Sequence, residues 1–114
     1  MSLIDISINP TPCFEFEAHI RVMQHSSSIK EGYNAVAHVG GITQSVEILE
    51  IKDMENNVME LLRSGNMAVV RFRFLYSAEL IKIGLPILFR EGSCMICGWI
   101  TQTFEDTVLD EEDE

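Results

Sequence analysis

Between Phe14 and Val22 the chain alternates without a break. Phe14, Phe16, Ala18, Ile20 and Val22 are apolar, and Glu15, Glu17, His19 and Arg21 between them are not. Side chains of an extended strand point to opposite faces in turn, so the pattern specifies a strand with one dry and one wet face. The dry face needs a partner layer, and the rest of the sequence supplies strands rather than helices. Residues 33–39 read as a second strand ended by Gly40-Gly41, and 42–51 as a third. In the third, Val46 and Ile48 share one face while Leu49 and Ile51 take the other, a slip that a β-bulge near Ile48 explains. Residues 67–75 set Val70, Phe72 and Phe74 against Arg71 and Arg73. Residues 87–89 and 95–104 give two more strands, joined by the polar turn Arg90-Glu91-Gly92-Ser93. Residues 26–32 are a polar loop and 76–84 a longer connection. The stretch 53–62 reads two ways: Met54, Val58, Leu61 and Leu62 suit a short helix, and Asn56-Asn57 suits a hairpin tip. About six strands with polar turns and no sustained helix specify an antiparallel barrel or sandwich.

A chain of 114 residues corresponds to one domain with one core. Residues 1–13, with Pro10 and Pro12, read as a lead-in, either a linker or vector-derived residues. Residues 14–104 form the body. Residues 105–114 are an acidic tail expected to be disordered. The tail explains most of the net charge of −10, because it holds seven of the 18 acids and no base. Residues 13–104 hold ten acids and eight bases, so the body is near −2 and lacks the basic stripe of a general nucleic-acid binder. Any RNA contact has to be local. No apolar run approaches the ~20 residues of a membrane span, and no signal peptide is visible. Three cysteines are an odd count, which fits a reducing compartment and a cytoplasmic location rather than a disulfide framework.

Cys94-x-x-Cys97 invites a zinc or redox reading. Zinc wants four ligands, and His19, His25 and His38 lie far upstream of this single pair. Positions three apart on a strand face opposite ways. A redox pair needs a helix N-terminus, whereas the residues after Cys97 read as strand. Metal and redox chemistry are therefore set aside, with Cys97 expected in the core and Cys94 near the turn. No phosphate loop, nucleophile elbow or paired-histidine metalloprotease motif is present. On its residues the chain is a binding or structural module and not an enzyme.

Four segments, in order, resemble the third domain of elongation factor Tu and elongation factor 1-alpha. Phe14-Glu15-Phe16-Glu17-Ala18-His19-Ile20 is similar to its opening strand. Lys30-Glu31-Gly32-Tyr33-Asn34-Ala35-Val36-Ala37-His38 is similar to its next strand, and Ser64-Gly65-Asn66-Met67-Ala68-Val69-Val70 to a turn and strand beyond it. Phe89-Arg90-Glu91-Gly92 follows, with a small residue, Gly98, in the last strand. Arg71-Phe72-Arg73-Phe74 and Leu88-Phe89-Arg90-Glu91-Gly92 look most like the eukaryotic GTP-binding protein 1/2 branch. The resemblance covers about residues 14–104.

The resemblance implies a six-stranded antiparallel Greek-key β-barrel, the C-terminal domain of a translational GTPase. The catalytic domain, with its GTP and Mg, and a second barrel would lie elsewhere in the full-length protein. This fragment would bind no cofactor and hydrolyse nothing alone. The implied partners are those two domains, aminoacyl-tRNA or a tRNA-like ligand, and the ribosome, with no membrane. The family's T-stem contact falls on Arg90, Glu91 and Gly92. An Arg can bond a phosphate, a Glu can accept from a guanine amino group or a ribose hydroxyl in the RNA minor groove, and a Gly lets backbone approach closely. Gln44 matches a further T-stem-contacting position, and Ala35 stands where the bacterial factor is polar. Arg71 and Arg73, with Arg21 if it shares their sheet, form either a solvated face or a phosphate-contacting or domain-docking stripe. His38 is expected to be a satisfied barrel residue. The alternative is a termination or ribosome-rescue GTPase, in which this barrel docks a release-factor-like protein.

Overall fold

The computed structural model describes residues 12–24, 28–91 and 94–105. The proposed lead-in up to residue 11, the tail beyond Glu105, and Gly92 lie outside the described residues. The alternating segment becomes β1 (Cys13–Gln24), with Phe16, Ala18, Ile20 and Val22 fully buried. The following strands are β2 (Ile29–Lys30), β3 (Asn34–Val39), β4 (Ile42–Lys52), β5 (Leu61–Leu62), β6 (Met67–Phe74), β7 (Pro86–Glu91) and β8 (Cys94–Glu105). Six of them close into an antiparallel barrel in the order β1-β6-β4-β3-β7-β8, and β2 and β5 pair as a separate two-stranded sheet. Strands β3, β4 and β6 follow one another as neighbours and β7 returns by a longer connection to lie beside β3, the Greek-key arrangement. The expected fold is the one observed.

The bulge expected near Ile48 is present. Register shifts by one between Ile48 and Glu50, so Leu49 drops out of the ladder and Ile51 returns to the interior beside Val46 and Ile48. Of the two readings of 53–62, the hairpin is the one formed. Lys52 bridges Val58, and Asn56 takes the left-handed conformation at φ 70°, which Asn tolerates. Asp53 Oδ1 accepts the amides of Asn57 (2.9 Å) and Glu55 (2.8 Å). The two-residue strands β2 and β5 were not expected. They bring Ile29 and Leu62, both fully buried, into the core.

The interior is filled by apolar side chains, with phenylalanines at its centre. Phe16 lies 5.3 Å from Phe72 and 5.0 Å from Phe74, and Phe72 lies 5.0 Å from Phe89. These offset contacts are the favoured aromatic geometry. A void of about 10 Å³ remains beside Ile20, Ala35 and Phe89, too small and apolar to hold a ligand. Closure itself depends on Gly98, where β8 runs hard against β1. A Cβ there would overlap the carbonyl oxygen of His19 and come within 2.8 Å of Ile20 Cα.

Two outcomes follow for stability. Gly98→Ala should cost about 3 kcal/mol or more, because backbone cannot yield as a flexible side chain does. Gly41→Ala, whose added Cβ meets nothing within 4 Å, should change stability by no more than about 0.5 kcal/mol. Urea unfolding followed by circular dichroism distinguishes them. Separately, the amides of Asn57 and Glu55 hold the Asp53 carboxyl below the usual carboxylate range. Its stabilising contribution should be complete above roughly pH 4, where the unfolded carboxylate ionises, and be lost as pH falls through the lower folded value. An NMR titration of Asp53 reads the depressed midpoint directly.

Candidate functional site

The outward residues of adjacent strands line up in rows across the barrel wall, and the rows differ in charge. Towards the Cys13 end, Glu50, Arg71, Glu17 and Gln102 form one row, and Glu47, Arg73, Glu15 and Phe104 the next. Arg71 and Arg73 therefore stand between glutamates on both neighbouring strands. Arg71 donates from Nε to Glu15 Oε1 at 2.8 Å, with Nη2 at 2.6 Å from the same oxygen, and its guanidinium lies 3.8 Å over the Phe104 ring. Arg73 reaches over Phe14 at 5.9 Å. Two arginines among four glutamates give a locally acidic zone, so the pattern is that of a compensated face. Arg21 shares their sheet but lies opposite Met67, beyond this zone.

Gln44 points inward. It is 8% exposed, and each of its hydrogen-bonding groups is engaged. Its carbonyl accepts the amides of Tyr76 (2.8 Å) and Ser77 (2.9 Å). Its Nε2 donates to Ser77 Oγ and to Glu79 Oε2. This cluster anchors the connection between β6 and β7 to the barrel. Glu79 and Cys13 also exchange backbone hydrogen bonds of 2.9 and 3.0 Å. The anchored connection displays Leu75, Tyr76 and Leu80 to solvent, with Tyr76 77% exposed. The sequence did carry a signal for Gln44, because it shares even spacing with the inward Val46 and Ile48.

Arg90 is exposed near the end of β7, opposite Met95, and no ion pair engages it among the described residues. The backbone of Glu91 ends β7, while Gly92 lies outside the described residues. Arg90 thus sits at the opposite barrel end from the compensated arginines.

The cysteine expectation needs one correction. Cys97 is not in the core. Ile96 and Ile100 face inward, which turns Cys97 and Trp99 outward, with Cys97 between Leu88 and Arg21. Cys94, on the other face, packs against the core. No three His, Cys, Asp or Glu side chains converge among the described residues. His38 is on the outer wall, its Nδ1 3.4 Å from Thr43 Oγ1.

This barrel has relatives of known name. The chain is 37% identical over 101 residues to GTP-binding protein 2 of Mus musculus and of Homo sapiens, covering 89% of the chain and 16% of each relative. It is 35% identical over 107 residues to GTP-binding protein 1 of Xenopus laevis, covering 94% of the chain and 15% of the relative. Elongation factor 1-alpha of Aeropyrum pernix matches at 40% over 73 residues. The chain is a β-barrel domain of the elongation factor 1-alpha and GTP-binding protein 1/2 family. It spans about one sixth of the length of these relatives. No family model matches it. Among solved structures, sup35 complexed with GDP shares the fold, with a TM-score of 0.70 at 14% identity over 84% of the chain and 27% of that structure.

Gln44→Leu should cost about 2–4 kcal/mol. It removes the acceptor for two amides and the donor for Glu79 while leaving those groups in place, and unsatisfied buried groups carry the full desolvation cost. Urea unfolding measures the loss, and hydrogen exchange at Tyr76 and Ser77 should rise with it.

Proposed function

We propose that this barrel is the C-terminal domain of a translational GTPase and contributes to binding of aminoacyl-tRNA or a similar structured RNA, on its T-stem side. The observation that carries the reading is Arg90. In a family that includes elongation factors it stands exposed at the β7–β8 end without an ion pair among the described residues, while Arg71 is engaged by Glu15. An exposed guanidinium recognises phosphate through charge-assisted hydrogen bonds, and Glu91 and Gly92, the residues that follow it, are proposed to contribute to the same contact. Gln44 is assigned to the fold rather than to the ligand. GTP and Mg would belong to segments outside this chain, whose sequence carries no phosphate loop, and the barrel would pack against that GTPase domain and a second barrel. The setting would be the ribosome, in the cytoplasm. The fragment itself would catalyse nothing.

A second reading is favoured by the anchored connection that displays Leu75, Tyr76 and Leu80. In that case the barrel docks a protein of the release-factor type. Salt distinguishes the two, because phosphate contacts weaken with rising salt and apolar docking does not.

The test is fluorescence anisotropy of a labelled T-stem RNA hairpin titrated with the chain from low to physiological salt. Affinity should fall steeply with salt, and Arg90→Ala should reduce the salt slope by about one. Absence of binding at low salt would rule out the RNA reading and leave the protein-docking one.

A further inference from the structure

Beyond the acidic rows, towards the β7–β8 turn, the wall changes character. Lys52, Val69, His19, Trp99 and Pro86 form one row. Met67, Arg21, Cys97 and Leu88 form the next, which His38 extends. Neither row contains a carboxylate, although Lys52 Nζ lies 3.9 Å from Glu50 Oε1 of the adjoining row, so the uncompensated cation of the two rows is Arg21. Trp99, the single tryptophan of the chain, is 48% exposed at the centre of this band. Its ring is held by His19, whose centroid is 4.4 Å away at an interplanar angle of 55°. One part of the indole is braced by the imidazole while the rest meets solvent. Arg21 is the diagonal cross-strand neighbour of Trp99, about 7–8 Å away between Cα atoms, and Arg90 continues the band past Leu88.

We propose that this band binds an unpaired nucleotide segment, with a base stacked on Trp99 and its phosphates met by Arg21 and Arg90. The inference rests on the RNA reading above and extends it from a stem at the turn to a single-stranded stretch across the wall. An aromatic platform flanked by cations, with no anion in the band, is the arrangement by which small barrels hold unpaired bases. Stacking requires a ring that stays in place, and His19 supplies that constraint. The glutamate row beginning at Glu17 limits the band on one side, so a phosphate chain would run along it rather than over the acidic zone.

Trp99 is its own reporter. The 114-residue chain would be titrated at low salt with a short single-stranded oligouridine and, in parallel, with a blunt T-stem hairpin. The oligouridine should quench Trp99 emission. Trp99→Ala should weaken its binding, followed by anisotropy, about tenfold or more, as loss of one stacked base does. Trp99→Phe should retain most of the affinity, and Arg21→Gln should weaken binding while lowering its salt dependence. Far-ultraviolet circular dichroism confirms that the variants fold. An oligouridine that leaves Trp99 emission unchanged, or binds Trp99→Ala as well as the parent chain, overturns the inference. If the hairpin still binds through Arg90 in that case, the stem reading survives without it. If neither RNA binds, both fail, and quenching only by a protein partner assigns the band to protein docking instead.

Discussion

The barrel depends on one strand being held on both edges. β1 pairs along most of its length with β6 on one side and β8 on the other, and without both pairings the sheet has open edges. An open edge in so small a sheet exposes unpaired backbone and apolar surface together. Closing six strands requires tilt and local irregularity, and the β1–β8 pair supplies it with three register shifts. Between two of those shifts Gly98 pairs with Ile20, and a Cβ there would overlap the His19 carbonyl oxygen. A side chain there would push β8 away from β1 and release both edges. Closure also fixes where function can reside. The phenylalanine cluster fills the interior among the described residues, where the void beside Ile20, Ala35 and Phe89 is no larger than a water, which favours the outer wall and the barrel ends for recognition.

On that wall, cross-strand register decides what each charge is worth. Net charge suggests a surface that repels nucleic acid, yet the acids are not spread evenly. Those on the described wall concentrate in the rows around Arg71 and Arg73, where Glu15 pairs with Arg71 and Glu15 and Glu47 flank Arg73 on the neighbouring strands. Exposed pairs of this kind add at most about 1 kcal/mol to stability. Their larger effect is to remove Arg71 from the pool available to a ligand and to surround Arg73 with negative charge. Arg21 and Arg90, two rows or more away, have no ion pair among the described residues.

How much of this was legible in the chain follows from periodicity. β1 and β6 could be read because large apolar residues alternate with charged ones, and such a pattern admits one face assignment. The bulge in β4 was also legible, because Leu49 and Ile51 record the phase slip directly. β2 and β5 were not, since two residues define no period, and Ile29 and Leu62 matter only through long-range packing. The facing of Cys97 failed for a different reason. From Met95 to Ile100 nearly every residue is apolar, so alternation carries no information, and the inward face is set by Ile96, Ile100 and the close approach at Gly98. Gln44 was legible by spacing, but resemblance pointed to a ligand. Burial of its amide depends on Tyr76, Ser77 and Glu79 arriving from more than thirty positions downstream.

The candidate surface was half-visible for the same reason. The Arg90 turn could be found from a short motif, because a turn's residues are contiguous. The band around Trp99 could not, because its members come from six strands and meet only through register. Nothing in the local sequence of Arg21 sets it apart from Arg71 or Arg73. What distinguishes them is the cross-strand neighbour, glutamate in one case and an apolar or aromatic residue in the other. On a closed sheet, the partner that a basic residue faces across the strand determines whether it is available to a ligand, and that partner is a property of the barrel rather than of the segment.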